Sequence, residues 1–245
     1  LNVLLLIAYI TILITNFGGF STTTIQLFFY LIPAFVILGS RQQTETTKFK
    51  KVNIYQWIVI FILTATTLYF LYSIAIYYLA DVNYSLGTKY SKVNDQQKAA
   101  GYFERALKLR QESVYEDHFS SSLAYLSAAA ALQNQKDLAK QIVALSDFYN
   151  RKTILAYPKN VFYWKTKAKN MYYFYQVTGN DNELLQGIKA LKTARNLYPA
   201  DPKIPYTLAL YYTTLYDTAK NGVEKQNWLK LSLDEIDKAT KLKSN

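Results

Sequence analysis

The residues best suited to bind a ligand are aromatic and basic side chains interleaved in the stretch VFYWKTKAKNMYYFYQ, positions 161–176. Aromatic faces with ammonium groups beside them can hold sugars or extended anionic chains. Large aromatics at helical spacing also serve to pack stacked helices, with lysines on the solvent side, and we favour that interpretation. The residues of the possible groove site are Tyr163, Trp164, Lys165, Lys169 and Tyr172.

His118 is the only histidine in the chain and stands in YEDHFSSS beside Glu116 and Asp117. A lone histidine between two predicted helix pairs and flanked by acids is typical of a solvated turn residue rather than a general base. With no cysteine, the chain has no thiol nucleophile and no set of His and Cys ligands for a metal. It also lacks a phosphate-binding loop, a dinucleotide fingerprint and an HExxH motif. We therefore expect no catalytic residue, no metal site and no cofactor.

A second set of acids lies near the end of the chain, in the stretch SLDEIDKATK. Lysines follow these acids at helical spacing, which predicts a solvated helix face with salt bridges. The residues concerned are Asp234, Glu235, Asp237, Lys238 and Lys241.

The net charge of +11 comes from 28 Lys and Arg residues against 17 Asp and Glu residues. A basic surplus of this size can indicate nucleic acid or anionic lipid as a partner. Here the lysines are scattered singly, often beside acids, without the Arg clusters that follow a phosphate backbone. We therefore do not expect nucleic acid as a partner.

Three apolar segments precede the polar part of the chain, at about 1–15, 24–39 and 54–79. The third has 26 residues and no charge, enough to cross a hydrocarbon core of about 30 Å with some tilt. Because the chain begins LNVLLLIAYI without Met, we expect a piece of a longer protein and not a signal peptide. Residues 1–80 thus form a predicted membrane domain with about three spans in the bacterial inner membrane, in contact with lipid.

The loop at 40–53 sets the expected orientation, because it carries four basic residues and one acidic residue. Short loops rich in Lys and Arg lie in the cytoplasm. The third span then leads outward, and residues 81–245 are predicted to be extracytoplasmic.

Residues 81–245 contain helix pairs that match the tetratricopeptide repeat (TPR) pattern. In NYSLGTKYSKVNDQQKAAGYFERALKL, the small residues let two antiparallel helices approach and the large ones fill the space between them. The matching positions are Leu86, Gly87, Tyr90, Ala99, Phe103 and Ala106. A later copy keeps Gly187, Leu191, Ala194 and Pro199 in register.

We count three to four helix pairs, which cannot bury their apolar faces alone and should stack into an α-solenoid. The predicted fold class is all-α, with about three transmembrane helices followed by a TPR-like α-solenoid.

The order of NFGGFSTTTIQLFFYLIPAF, basic loop, third apolar segment and repeats resembles the C-terminal part of bacterial O-antigen ligase and polymerase-like membrane proteins with an appended TPR domain. The resemblance implies glycosyl transfer from a polyprenyl-diphosphate-linked glycan outside the cytoplasm. The essential Arg and His positions of that family lie in parts that this chain does not contain. No catalytic residue is carried over, and we expect this chain alone to be inactive.

Two main hypotheses follow. In the first, the chain is the membrane-anchored interaction end of an O-antigen ligase-like protein, binding a protein partner or a glycan-assembly component through its repeat groove. In the second, it is a free-standing membrane TPR scaffold or envelope assembly factor. A third option is the tail of another polyprenyl-sugar-dependent glycosyltransferase.

Overall fold

The computed structural model describes residues 2–18, 28, 30–36 and 53–243, and all regular structure among these residues is helical. Residues 30–36 form a short helical stretch. The longer helices are α1 (Asn2–Gly18), α2 (Ile54–Lys92), α3 (Gln96–Leu109), α4 (Ser113–Leu132), α5 (Lys136–Ala156), α6 (Val161–Thr178), α7 (Asp181–Leu197), α8 (Lys203–Thr218) and α9 (Gly222–Lys243). The all-α prediction is confirmed for the described residues.

The chain divides into two compact units, Leu1–Thr64 and Ala65–Asn245, and the division falls inside α2. The sequence places the domain boundary later, between residues 80 and 81. Along α2, the side chains from Ile54 to Leu79 are exposed apart from a half-buried Ile76. Ala80 is the first buried residue of this helix, so packing of the repeats begins there.

The number of membrane spans differs from the prediction. Within residues 2–18, 28, 30–36 and 53–243, α2 is the only helix long and apolar enough to cross a membrane, judged by length and composition. α1 has 17 residues and so covers about 26 Å at about 1.5 Å per residue. Half of the predicted span at 24–39 lies outside the described residues, which include only 28 and 30–36 of it, and the basic loop at 40–53 lies outside them except for Asn53.

The second unit contains four helix pairs, at the upper end of the predicted three to four. The C-terminal part of α2 pairs with α3, and the pairs α4–α5, α6–α7 and α8–α9 follow. α4 also packs on α6, so the first helices of successive pairs are neighbours. This arrangement of stacked pairs is TPR-like.

Gly87 and Phe103 make the close contact that joins α2 to α3. A Cβ atom built on Gly87 would lie 2.6 Å from Phe103 Cε1, closer than real Cβ contacts allow. The Phe103 ring is fully buried and packs with Ala99. Tyr90 lies at the edge of the same cluster.

A second glycine allows a close contact between the third and fourth pairs. A Cβ on Gly187 would collide with the ring of Tyr211, so α7 can approach α8 only because this position is glycine. Leu191 and Ala194 are buried in the cluster around it. Of the other predicted packing residues, Ala106 is buried, Leu86 is half-buried and Pro199 is an exposed turn residue.

Three of the turns within pairs use the same backbone conformation. Asn94, Asn134 and Gly179 have φ angles of 62°, 60° and 64°, in the left-handed region that glycine and asparagine adopt most readily. Each follows the first helix of its pair, where a left-handed residue ends the helix. The left-handed turn residue therefore recurs in three of the four helix pairs.

Candidate functional site

Two openings lie along the first helices of the pairs, and Lys165 and Lys169 of α6 line both of them. Four of the five predicted groove residues line at least one opening. The fifth, Trp164, lines neither: its ring packs on the core around Leu191, and its indole N–H donates to the Pro158 carbonyl over 2.7 Å. Trp164 thus has the packing role that the sequence analysis favoured for these aromatics, because this position of α6 faces the core of its own pair.

The first opening, here called the lysine groove, lies between α6 and α8 and has a volume of about 550 Å³. Leu191 of α7 lines it, and the other lining residues are lysine, tyrosine, threonine and two aliphatic side chains of α6 and α8. These residues are Lys165, Lys169, Tyr172, Lys203, Ile204, Thr207, Leu210, Tyr211, Thr213 and Thr214.

The three lysines of the lysine groove differ in their partners. Lys165 Nζ forms a salt bridge with Asp201 Oδ2 at 2.8 Å, which neutralises its charge locally. Among the described residues, neither Lys169 nor Lys203 forms a salt bridge, and both side chains are exposed. The groove therefore presents two uncompensated positive charges to a ligand.

Tyrosines form one wall of the lysine groove. Tyr211 is buried, and its hydroxyl donates to the Ala168 carbonyl over 2.5 Å, while burial raises the pKa of this phenol. The Tyr211 hydroxyl proton is therefore used in a hydrogen bond within the protein. Tyr172 is more than a third exposed and lies with its ring centroid 6.0 Å from that of Tyr211. Tyr172 is the accessible aromatic surface of the groove.

The second opening, here called the Asp117 cavity, lies between α2, α4 and α6 and has a volume of about 530 Å³. It combines one carboxylate with rings, hydroxyls and the two lysines that it shares with the lysine groove. Its lining residues are Ser91, Val114, Asp117, His118, Ser121, Asn160, Phe162, Tyr163, Lys165, Thr166 and Lys169.

Asp117 is buried at 7% exposure, although no cation contacts it within residues 2–18, 28, 30–36 and 53–243. Thr166 Oγ1 donates to Asp117 Oδ2 over 2.9 Å, whereas Oδ1 is buried without a hydrogen-bond partner in the described part of the chain. Burial raises the pKa of Asp117 to about 7, against the lowering effects of the Thr166 hydrogen bond and the positive charge of Lys169. Desolvation by the surrounding protein lowers the pKa of Lys169, although this residue as a whole is exposed.

His118 is not the solvated turn residue that the sequence predicts. It lies inside α4 and is half-buried, with its ring packed edge-on against Tyr84 and tilted against Phe103. Burial lowers its pKa, and the nearby charge of Lys169 adds to this effect. The flanking acids misled the prediction because both turn inward: Glu116 is 3% exposed and pairs with Lys152 of α5 at 2.5 Å.

A buried polar network behind the Asp117 cavity was missing from the sequence prediction. Asn170 Nδ2 donates to Ser120 Oγ over 3.1 Å, and Ser146 Oγ donates to the Ser120 carbonyl over 2.7 Å. Asn150 Nδ2 lies 3.4 Å from the Tyr163 carbonyl. These side chains join α4, α5 and α6, and they hold Tyr163 at the cavity wall. Polar residues on an otherwise apolar helix face were the signal that could have revealed the network.

The acids of α9 also require a correction. Asp237 forms the predicted exposed pair with Lys241, at 2.6 Å. Glu235 is instead buried at 5% exposure and accepts two hydrogen bonds from Arg195 Nη1, at 2.9 and 3.1 Å. Glu235 therefore attaches α9 to α7 rather than facing solvent.

Within the ranges that the structure describes, no group of three or more His, Cys, Asp or Glu side chains is placed to hold a metal ion. The chemistry of the two openings is that of binding: cations and a tyrosine face in one, a buried carboxylate with rings in the other.

No family model and no curated protein matches the chain. Among solved structures, it is similar to MamA (residue 41 to the end) from Desulfovibrio magneticus RS-1, at 18% identity, over 67% of this chain and 76% of that chain, with a TM-score of 0.45. A MamA RS-1 ArsTM double mutant gives 18% identity, coverages of 67% and 75%, and a TM-score of 0.44. A MamA AMB-1 structure is 17% identical over 68% of this chain and 74% of that chain, with a TM-score of 0.40. The resemblance to O-antigen ligases finds no support among these proteins.

Proposed function

We propose that the chain is a membrane-anchored helical-repeat protein that binds an extended, acidic segment of a partner protein in the lysine groove. The observation that carries this proposal is the pair of uncompensated charges, Lys169 and Lys203, beside the accessible ring of Tyr172. Stacked helix pairs commonly serve as surfaces for other proteins, and no catalytic constellation competes with this interpretation among the described residues.

The charge distribution favours an acidic ligand. Lys165 is already paired with Asp201, so a carboxylate entering the groove meets Lys169 and Lys203. Each exposed ion pair contributes about 0.2–1 kcal/mol, and the tyrosine face adds apolar contact area. Affinity should therefore be modest and should fall with salt, since these charges lie in solvent.

The membrane anchor is the part of α2 that carries exposed apolar side chains. Its most apolar window has a mean hydropathy of 2.1 and none of its residues is buried within the protein. Large apolar side chains exposed to water each forgo about 1.5–3 kcal/mol of burial. A bilayer around residues 54–79 removes this cost, which supports the anchoring proposal. We keep the extracytoplasmic orientation of the repeats as part of it, on the charge of the loop at 40–53.

The parent protein of the first hypothesis, an O-antigen ligase-like glycosyltransferase of the bacterial envelope, remains a proposal that rests on the resemblance alone. A free-standing membrane scaffold fits the same two openings. Deleting residues 81–245 from the full-length protein separates these proposals, because loss of glycan transfer favours the first and unchanged transfer favours the second.

Binding in the lysine groove can be tested with a fluorescein-labelled hexaglutamate peptide and the full chain in detergent micelles. Fluorescence anisotropy should give saturable binding that weakens about tenfold in the double variant Lys169→Gln, Lys203→Gln, because both uncompensated charges are lost. Lys167→Gln is the matched control, since Lys167 lies on α6 but lines neither opening. Equal weakening by the control, or equal binding of hexaglutamine, would contradict the proposal.

A further inference from the structure

No cation of the described residues contacts the Asp117 carboxylate, although it is more than nine-tenths buried. An ionised carboxylate in this situation needs either a proton or a positive partner. Thr166 donates a hydrogen bond to Oδ2 of this carboxylate, whereas Oδ1 accepts no hydrogen bond from the described residues. The cavity beside it has room for a ligand group.

The charged and titratable groups around Asp117 do not supply the missing partner. Lys165 is held by Asp201, and Lys169 lies beyond salt-bridge distance of Asp117. The neighbouring Glu116 is bound to Lys152. Tyr84 of α2 contacts the ring of His118 on α4, and it carries no positive charge. A proton satisfies this carboxylate below a pH of about 7, and a positive group in contact with it at higher pH has to come from outside the described residues.

The walls of the cavity suit an alkyl stem that ends in an ammonium group. Phe162 is exposed at the mouth, and Tyr163 and His118 contribute further ring surface. Apolar stems of lysine side chains pack on such surfaces while the ammonium group finds a polar partner. Asp117 lines the cavity, and its Oδ1, which has no hydrogen-bond partner among the described residues, is the oxygen left for a ligand group.

We propose that the Asp117 cavity binds a primary ammonium group, supplied by a lysine side chain of the segment that occupies the lysine groove. The ammonium donates hydrogen bonds to the Asp117 carboxylate, and its methylene stem packs between Phe162 and Tyr163. The identity of the donor segment rests on the proposed function, whereas ammonium binding itself does not. Lys169 stands between the two openings, so the segment would place its lysine on one side of this residue and its acids on the other.

The ammonium site can be tested by isothermal titration calorimetry with n-butylammonium, which reproduces the lysine side chain, on the full chain in detergent micelles. We expect saturable binding that Asp117→Asn weakens at least tenfold. Lys169→Gln should strengthen it several-fold, because a like charge is removed. n-Butanol should show no saturable binding, since it cannot neutralise the carboxylate. Binding of n-butanol equal to that of n-butylammonium, or unchanged binding by Asp117→Asn, would overturn the proposal.

Two controls keep this test independent of folding and of the proposed function. Asp217→Asn removes an exposed carboxylate outside both openings and should leave n-butylammonium binding unchanged. Lys203→Gln should weaken hexaglutamate binding without changing n-butylammonium binding, because Lys203 lines only the lysine groove. If the natural chain bound n-butylammonium but not hexaglutamate, the proposed function would be contradicted and the ammonium site would stand.

The source of the ammonium group is tested with hexaglutamate peptides that carry one lysine at either end. One of these two peptides should bind several-fold more tightly than the matching peptide that has norleucine in place of lysine. The reason is that the two openings have a fixed order along α6. If neither lysine peptide exceeds its norleucine control, the assignment to a lysine of the bound segment is wrong.

Discussion

Thr166 Oγ1 of α6 donates a hydrogen bond to Asp117 Oδ2 of α4 over 2.9 Å, and it leaves the second oxygen of this carboxylate buried without a partner in the described residues. The contact joins the first helices of two successive pairs. It also places an ionisable group in the wall of an opening, where its charge depends on what enters.

Replacing Asp117 by asparagine should change the pH dependence of stability. Burial raises the pKa of Asp117 from an ordinary 3.8 to about 7. Between these pH values the unfolded chain has released a proton that the folded chain still holds, so this group makes the free energy of unfolding fall as pH rises. The variant lacks this loss and should gain stability relative to the natural chain between pH 5 and 8, by on the order of 2–4 kcal/mol.

The measurement is the difference in melting temperature between the natural chain and Asp117→Asn at a series of pH values. His118 acts in the opposite direction, because its lowered pKa costs stability as pH falls below about 6.5, but it is present in both proteins. The difference between them therefore isolates Asp117. A difference that does not grow with pH would contradict the buried, unpaired state of this carboxylate.

Two glycines of the first helix pair should respond oppositely to alanine. Gly87→Ala places a Cβ 2.6 Å from the buried ring of Phe103 and should destabilise the protein by about 1–3 kcal/mol. Gly101→Ala meets nothing within 4 Å and should stabilise α3 by about 0.5–1 kcal/mol through helix propensity. Thermal unfolding followed by circular dichroism gives both values. Equal effects of the two substitutions would refute the close contact between α2 and α3.

The buried ion pair between α7 and α9 should matter far more than the exposed pair on the same helix. Arg195→Met leaves Glu235 with only Lys238 as a cation partner and should cost on the order of 2–4 kcal/mol. Asp237→Ala breaks the exposed pair with Lys241 and should change little. Chemical denaturation compares the two variants, and hydrogen exchange should report the loss of protection first in α9. Similar small effects of both would show that Glu235 is solvated.

The orientation of the repeats can be read from cysteine labelling, because the natural chain has no cysteine. A single cysteine at the exposed position Lys136 should react with an impermeant maleimide in intact cells with a permeable outer layer. A cysteine at Gln42, in the basic loop, should react only after the inner membrane is broken. The reverse pattern would place the repeats in the cytoplasm.

The first helix pair was predictable from the sequence because its packing depends on residue size. Small residues at Gly87 and Ala99 and a large one at Phe103 satisfy both the repeat pattern and the structure. The membrane part was less predictable, since hydrophobicity alone does not fix where an apolar helix begins and ends. Local sequence also could not show that α2 continues without a break from its apolar part into the first pair.

The binding residues were harder to predict than the fold. Charge and aromaticity identified Lys165, Lys169 and Tyr172, but the direction of each side chain depends on how α6 packs between its neighbours. That packing removes Trp164 from the openings and adds Asp117, whose partner Thr166 lies 49 positions later in the chain. Such pairs of distant residues leave no local pattern in a single sequence.

The most direct test of the central claim, that the lysine groove holds the partner segment, is site-specific photo-crosslinking in cells. A photoreactive phenylalanine analogue at Tyr172 should form an adduct that is lost when Lys169 and Lys203 are changed to glutamine, and the crosslinked segment should be acidic. The same analogue at Phe148, which is exposed on α5 and lines neither the lysine groove nor the Asp117 cavity, is the matched control and should form no such adduct. Equal adducts from both positions, or an adduct at Tyr172 that survives the lysine changes, would contradict the account.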